Sequence, residues 1–75
     1  MITNKLKSIL ALKGLTFADY ARKLEIKPQS LQTKAKKNAY KISDLIEFCE
    51  LTETKLSITD ENNKIIIEFN KDDLL

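Results

Sequence analysis

Seven basic side chains stand within twenty residues: Arg22, Lys23, Lys27, Lys34, Lys36, Lys37 and Lys41, opposed there only by Glu25. A net +6 over so short a stretch is the chemistry of anion recognition, and a phosphate backbone is the anion that suits such a face. The chain as a whole carries only +2, because residues 1–21 add +2 and residues 42–75, with three lysines against nine acids, carry −6. Charge is therefore sorted along the chain, one basic block beside one acidic segment. A solvated surface with two clusters of like sign would read the same way, so the choice turns on which elements carry the block.

Other chemistries have little to work with. The 75 residues include no histidine and one cysteine, Cys49, so neither a zinc set nor an intrachain disulfide can be built. Asp72-Asp73 and the acids of the fourth helix are paired carboxylates, but without a histidine or a glycine-rich loop they form no catalytic constellation. No enzyme activity, metal or cofactor is expected. A lone cysteine fits a reducing, cytoplasmic setting. Apolar runs such as Ile65-Ile66-Ile67 are too short to span a membrane, and the N-terminal lysines lack the apolar stretch of a secretion signal.

The elements that must position the basic block follow from periodicity. Ile2, Leu6, Ile9 and Leu10 fall at helical spacing, with Thr3 as N-cap and the single glycine, Gly14, as the stop. Thr16 and Asp19 have capping-box spacing and open a second helix. Leu15 and Tyr20 form a staple across its start, Tyr20, Ala21 and Leu24 face inward, and Arg22 and Lys23 face solvent. A turn, Glu25-Ile26-Lys27, leads to Pro28, a residue suited to a first helical position. The third helix then runs from Pro28 to about Lys37 with only Leu31 and Ala35 apolar. The fourth covers about Ile42 to Leu51, with Ile42, Leu45, Ile46 and Cys49 as its stripe and Tyr40 and Leu45 as a staple around Lys41. Cys49 is thereby a core residue, and Tyr20, Tyr40 and Phe48 are core or staple residues. After Thr52 the period becomes two: Leu56 and Ile58, then Ile65, Ile67 and Phe69, separated by Asp60-Glu61-Asn62-Asn63. That pattern is a β-hairpin, and residues 70–75 are expected to fray.

Two short helices joined by a three-residue turn, the second polar and basic, make a helix-turn-helix. Tyr20, Ala21 and Leu24 clamp the first helix to the core, Ile26 plugs the turn and Leu31 anchors the second. The N-terminal turns of the second helix are then free to enter a groove about 12 Å wide. The expected fold is mainly α: a four-helix domain over 1–52 followed by a hairpin over 53–70, all one domain.

The run Thr16-Phe17-Ala18-Asp19-Tyr20-Ala21-Arg22-Lys23-Leu24, then Ile26-Lys27-Pro28-Gln29-Ser30-Leu31, resembles the Cro/repressor (lambda-repressor-like) helix-turn-helix family over residues 3–52, and more loosely its short phage and bacterial members with a C-terminal hairpin. Three positions depart from that family: Glu25 stands for its turn glycine, Phe17 for a frequent glutamine, and Lys27 for a Ser/Thr cap. The resemblance implies sequence-specific binding of double-stranded DNA by a transcriptional regulator. Gln29, Gln32 and Thr33 would meet base edges, and Lys27, Ser30, Lys34, Lys36, Lys37 and Asn38 would contact phosphates. One such module binds weakly, so a homodimer is expected, with Ile65, Ile66 and Ile67 of the hairpin as its interface. The alternative is a protein-interaction module of the same fold, an inhibitor or antitoxin-like partner using the acidic 42–75 surface.

Overall fold

The computed structural model describes residues 1–74; Leu75, the last residue of the expected frayed tail, lies outside them. Four helices come first, α1 (Ile2–Leu12), α2 (Phe17–Lys23), α3 (Pro28–Lys37) and α4 (Ile42–Thr52). A two-stranded antiparallel hairpin follows, β1 (Leu56–Thr59) and β2 (Ile65–Phe69), and then a 3-10 turn at Lys71–Leu74. The chain is thus mainly helical with a C-terminal hairpin, as its periodicity requires. None of its described helices is long and apolar enough to cross a membrane.

All four helices stop in the same way. One residue adopts a left-handed conformation, and the amide after it bonds back to a carbonyl five residues earlier. Leu15 N–H reaches the Leu10 carbonyl at 2.8 Å, Ile26 reaches Ala21 at 3.1 Å, Ala39 reaches Lys34 at 2.9 Å and Thr54 reaches Cys49 at 2.9 Å. This closure satisfies carbonyls that the helix end would otherwise orphan. The left-handed residues are Gly14, Glu25, Asn38 and Glu53. Only Gly14 is free of a Cβ penalty there, and Asn38 tolerates the geometry; Glu25 and Glu53 are strained.

The starts are more varied. Thr16 and Asp19 form the expected capping box, with Thr16 N–H donating to Asp19 Oδ2 (2.8 Å) and Asp19 N–H donating to Thr16 Oγ1 (3.2 Å). These bonds, the Thr16 amide's first among them, hold the Asp19 carboxyl below its usual range. Thr3 is not the cap of α1. The helix starts at Ile2, and the Thr3 hydroxyl lies inside the first turn, 2.6 Å from the Tyr40 hydroxyl. That contact ties α1 to the α3–α4 connection. Lys41 precedes α4, but an ammonium cannot accept a hydrogen bond. Asp44 reaches back instead, its Oδ2 accepting from Lys41 N–H at 2.9 Å.

Leu6, Leu10, Tyr20, Ala21, Leu31 and Phe48 form the centre of the core, with Leu24, Ile26, Tyr40 and Leu45 packed around it. Tyr20 and Leu31 are 0% exposed. The Tyr20 ring meets Phe48 edge-on with centroids 5.0 Å apart, a favoured aromatic geometry. Its hydroxyl donates to the Asp44 carbonyl at 2.7 Å. Burial, above all, raises the Tyr20 pKa well beyond the ordinary phenol. On α4 the stripe differs from expectation in one place. Ile42, in the first turn, lies beyond the edge of the core and is exposed, while Phe48 is buried as expected. Cys49 is half-buried.

In the hairpin Leu56 pairs with Phe69, Ser57 with Glu68 and Ile58 with Ile67; a bulge then brings Thr59 opposite Ile65 and leaves Ile66 without a partner. Leu56 and Phe69 are half-buried, and the rest of β2 is exposed. The tail through Leu74 does not fray. Asn70 N–H donates to Asp73 Oδ2 and Asp72 N–H to Asn70 Oδ1, both at 2.9 Å, which caps the 3-10 turn. Lys71 Nζ then reaches Glu50 at 3.3 Å and Glu47 at 3.5 Å on α4. The same two carboxylates hold Lys23 of α2, Glu50 closely and Glu47 at 3.7 Å. Lys23 is therefore not a free solvated charge. Hydrogen bonds from Lys23 and then Lys71 hold the Glu50 carboxyl below its usual range, and Glu50 in turn raises the Lys71 ammonium.

Two predictions follow from these ends. Glu25→Gly and Glu53→Gly should each raise stability by about 0.5–1 kcal/mol, the left-handed strain relieved less the extra freedom of an unfolded glycine, read by urea denaturation. The Glu50 pKa is depressed, so its contribution is complete above the ordinary value of 4.5 and is lost as pH falls through the folded value. The Lys71 pKa is raised, so its contribution is complete below 10.5 and is lost as pH rises through the folded value. Hydrogen exchange at the amides of 71–74 should therefore be slowest between those limits and accelerate outside them.

Candidate nucleic-acid interface

Helix α3 is amphipathic in an unusual sense: a narrow apolar seam and an otherwise polar, acid-free surface. Leu31 and Ala35, four apart, are its buried residues. Opposite them, Gln29, Thr33, Lys36 and Lys37 share one stripe by helical spacing, with Gln32 and Ser30 on its flanks. All six are exposed, as are Lys27 at the start and Asn38 at the left-handed end. Neither the hairpin nor another helix covers this side among the described residues. The Thr33 hydroxyl donates back to the Gln29 carbonyl at 3.1 Å, leaving the threonine methyl as its free group.

The basic block is sorted by pairing. Arg22 is joined to Asp19 beside it, Lys23 to Glu50 and Glu47, and Lys34 to Asp44 at 3.0 Å. The Lys34–Asp44 side chains are 24% and 11% exposed, making this the most enclosed of those ion pairs. Lys34 is thus committed to holding α3 against α4. Lys27, Lys36, Lys37 and Lys41 are exposed and enter no ion pair among the described residues. They bracket α3 at its two ends and extend into the α3–α4 connection. Lys34, Lys36 and Lys37 also oppose the negative end of the α3 dipole, a structural use that needs no ligand.

The turn between α2 and α3 is fixed from both sides. Glu25 has φ +58°, the left-handed geometry that a glycine would adopt without cost, and Ile26 packs on the core. Lys27 is extended, and Pro28 starts the helix. The six-residue face is therefore carried by a helix anchored at Ile26, Leu31, Ala35 and Lys34.

Ile65, Ile66 and Ile67, expected at a dimer interface, are all at least half exposed. Two features of the site were missed: Asp44 as the partner of Lys34, and Lys71 as the closing cation of the α2–α4 network. Asp44 sits three residues after an extended residue at a helix start, a visible capping signal, but nothing in the spacing reveals its second partner on α3. Among the described residues no cluster of Cys, Asp and Glu could hold a metal. No family model matches the chain, and neither the curated proteins nor the solved structures compared with it provide a match.

Asp44→Ala removes the acceptor of both Lys34 and the Lys41 amide. It should cost about 2 kcal/mol of stability, a lost cap plus a half-buried unpaired ammonium. Lys34→Met keeps the packed stem and the Lys41 amide bond to Asp44, so it should cost less, only what is lost when that carboxylate has no cation. Equal losses in urea denaturation would contradict the two-partner role of Asp44.

Proposed function

We propose that the chain binds double-stranded DNA through α3, reads sequence with the side chains of that helix, and acts as a transcriptional regulator. The observation that carries this is the uncovered, acid-free face of α3, held on a helix whose inner side is locked to the core. Lys27, Lys36 and Lys37, with Ser30 and Asn38, are the phosphate-contacting groups. Phosphate contacts supply most of the affinity and fix the docking register. Gln29 and Gln32 carry amides able to pair bidentately with adenine, and the Thr33 methyl suits a thymine methyl. Lys34, engaged by Asp44, adds to the field but is not a primary contact.

A ten-residue helix makes few contacts, so two modules act together as a homodimer on half-sites about one DNA turn apart. The pairing of Glu47 and Glu50 with Lys23 and Lys71 favours DNA over a basic protein partner, because the acidic segment has less free charge than its composition implies.

Selection from a random duplex library at physiological salt should recover a motif. The slope of log K against log salt should be about −0.9 per neutralised phosphate, and Lys36→Gln with Lys37→Gln should flatten it by about two. Gln29→Ala should relax preference at one base position by roughly 1–3 kcal/mol. Recovery of no motif, with a salt slope near zero, would overturn the assignment and turn attention to the acidic surface.

A further inference from the structure

A single carboxylate is set against the cations of α3. Between Glu25 and Glu47 the only acid in the sequence is Asp44, and it is buried, 8% exposed. Its Oδ2 accepts from Lys34 Nζ at 3.0 Å and from the Lys41 amide at 2.9 Å. Of the cations on α3 and at its two ends, Lys34 alone is neutralised among the described residues.

Lys34 stands on a flank of α3 rather than on its apolar seam. Ser30 lies four residues before it and Lys37 three after it, so the three side chains neighbour one another along one side of the helix. Ser30 and Lys37 are exposed, and both are phosphate-contacting groups in the reading above. An ammonium on a flexible four-carbon stem at that place would join them. In the folded chain it turns the other way, toward α4. No second acid competes for it there: Glu47, three residues beyond Asp44, is already shared by Lys23 and Lys71.

Two opposed terms decide where Lys34 stays when a duplex docks. Leaving Asp44 strands a buried carboxylate without its cation, a strongly destabilising loss. The gain is one solvent-exposed phosphate contact, weakened by salt. The loss is the larger, so Lys34 stays on α4 with the duplex bound. Removing the charge of Asp44 reverses the balance. An asparagine at that position still accepts the Lys41 amide, its main-chain carbonyl still accepts the Tyr20 hydroxyl, and no charge holds the ammonium against α4.

We propose that Asp44 limits the DNA affinity of this chain: it withholds Lys34 from the duplex, and Lys34 is a latent phosphate contact released when that carboxylate is neutralised. Asp44 itself touches no nucleic acid; it is a positioning residue that acts through Lys34. The proposal rests on the DNA reading of α3. Its consequence is a chain that meets the duplex with less than its full charge, which holds down sequence-independent affinity and leaves the base-facing side chains as they are.

The experiment measures binding against salt concentration for wild type, Asp44→Asn, and the double variant Lys34→Met with Asp44→Asn, on a duplex recovered by selection. Each protein is checked for its helical circular dichroism. Asp44→Asn should steepen the slope of log K against log salt by about 0.9 per module and tighten binding roughly fivefold at about 0.15 M salt, the effect of one more neutralised phosphate. Phosphate ethylation should then interfere at one additional position per module. The double variant should match wild type in slope and in interference pattern. It leaves no unpaired charge at the site, so it tests the proposal even where Asp44→Asn alone folds poorly. An unchanged slope for folded Asp44→Asn overturns the proposal. So does a steeper slope with no new phosphate, which is the bare loss of a negative charge. A double variant flatter than wild type by about 0.9 also overturns it, because Lys34 would already be a contact. These three outcomes leave wild-type binding, and with it the DNA reading, intact; a wild type that binds no duplex at any salt removes both.

Discussion

Three helices are registered against one another at Asp44. Its carbonyl accepts the Tyr20 hydroxyl from α2, and its carboxylate accepts both the Lys34 ammonium from α3 and the Lys41 amide at the start of its own helix. A short acidic residue near a helix start ordinarily serves as a cap and no more. Here the same residue also fixes how far α2 and α3 stand from α4. A chain this small buries too little apolar surface to hold several short helices by packing alone. Directional polar contacts at one enclosed point supply the registration that a larger core would provide. No buried side-chain nitrogen or oxygen among the described residues lacks a partner, so these contacts carry no unpaired cost.

The outward character of α3 is a consequence of that arrangement. Ten residues with a mean composition so polar form a marginal helix in isolation. Leu31 and Ala35 bind its seam, Lys34 binds one flank through Asp44, and the turn before it is held by Ile26. What remains has no packing to do. Gln29, Gln32, Thr33, Lys36 and Lys37 are exposed because the residues that pack the helix lie on the other side. A face that contributes so little to folding is free to be selected for recognition, and this division of labour is the strongest support for reading it as an interface.

Much of this was legible in the sequence, and the reasons are local. The Thr16–Asp19 box, the Gly14 stop, Pro28 at a first helical position and the change of period after Thr52 each depend on residues within one turn of each other, and each is found where its spacing puts it. What was not legible depends on contacts across the chain. The Lys34–Asp44 pair joins residues ten apart on different helices, so Lys34 is counted in the sequence as one more cation of the basic block. Thr3 has the composition of a cap, but Tyr40, thirty-seven residues away, gives its hydroxyl a better partner. The Lys71 network has the same character: a tail of Asn, Lys and Asp reads as solvated until α4 presents two carboxylates already shared with Lys23. Glu25 lies between these cases. Its place in the turn can be read from spacing, but its left-handed backbone comes from the helix closure around it rather than from any preference of glutamate.

The hairpin shows what the charges outside the block are for. A two-stranded sheet is barely stable in water, and a strand of three isoleucines with a free edge invites open-ended association. The chain limits both. Leu56 and Phe69 pack at the open end of the hairpin, and the 3-10 turn after β2 is tied to α4 by Lys71. The edge itself is blunted: Lys64 and Glu68 flank the isoleucines, and the bulge at Ile66 interrupts the ladder.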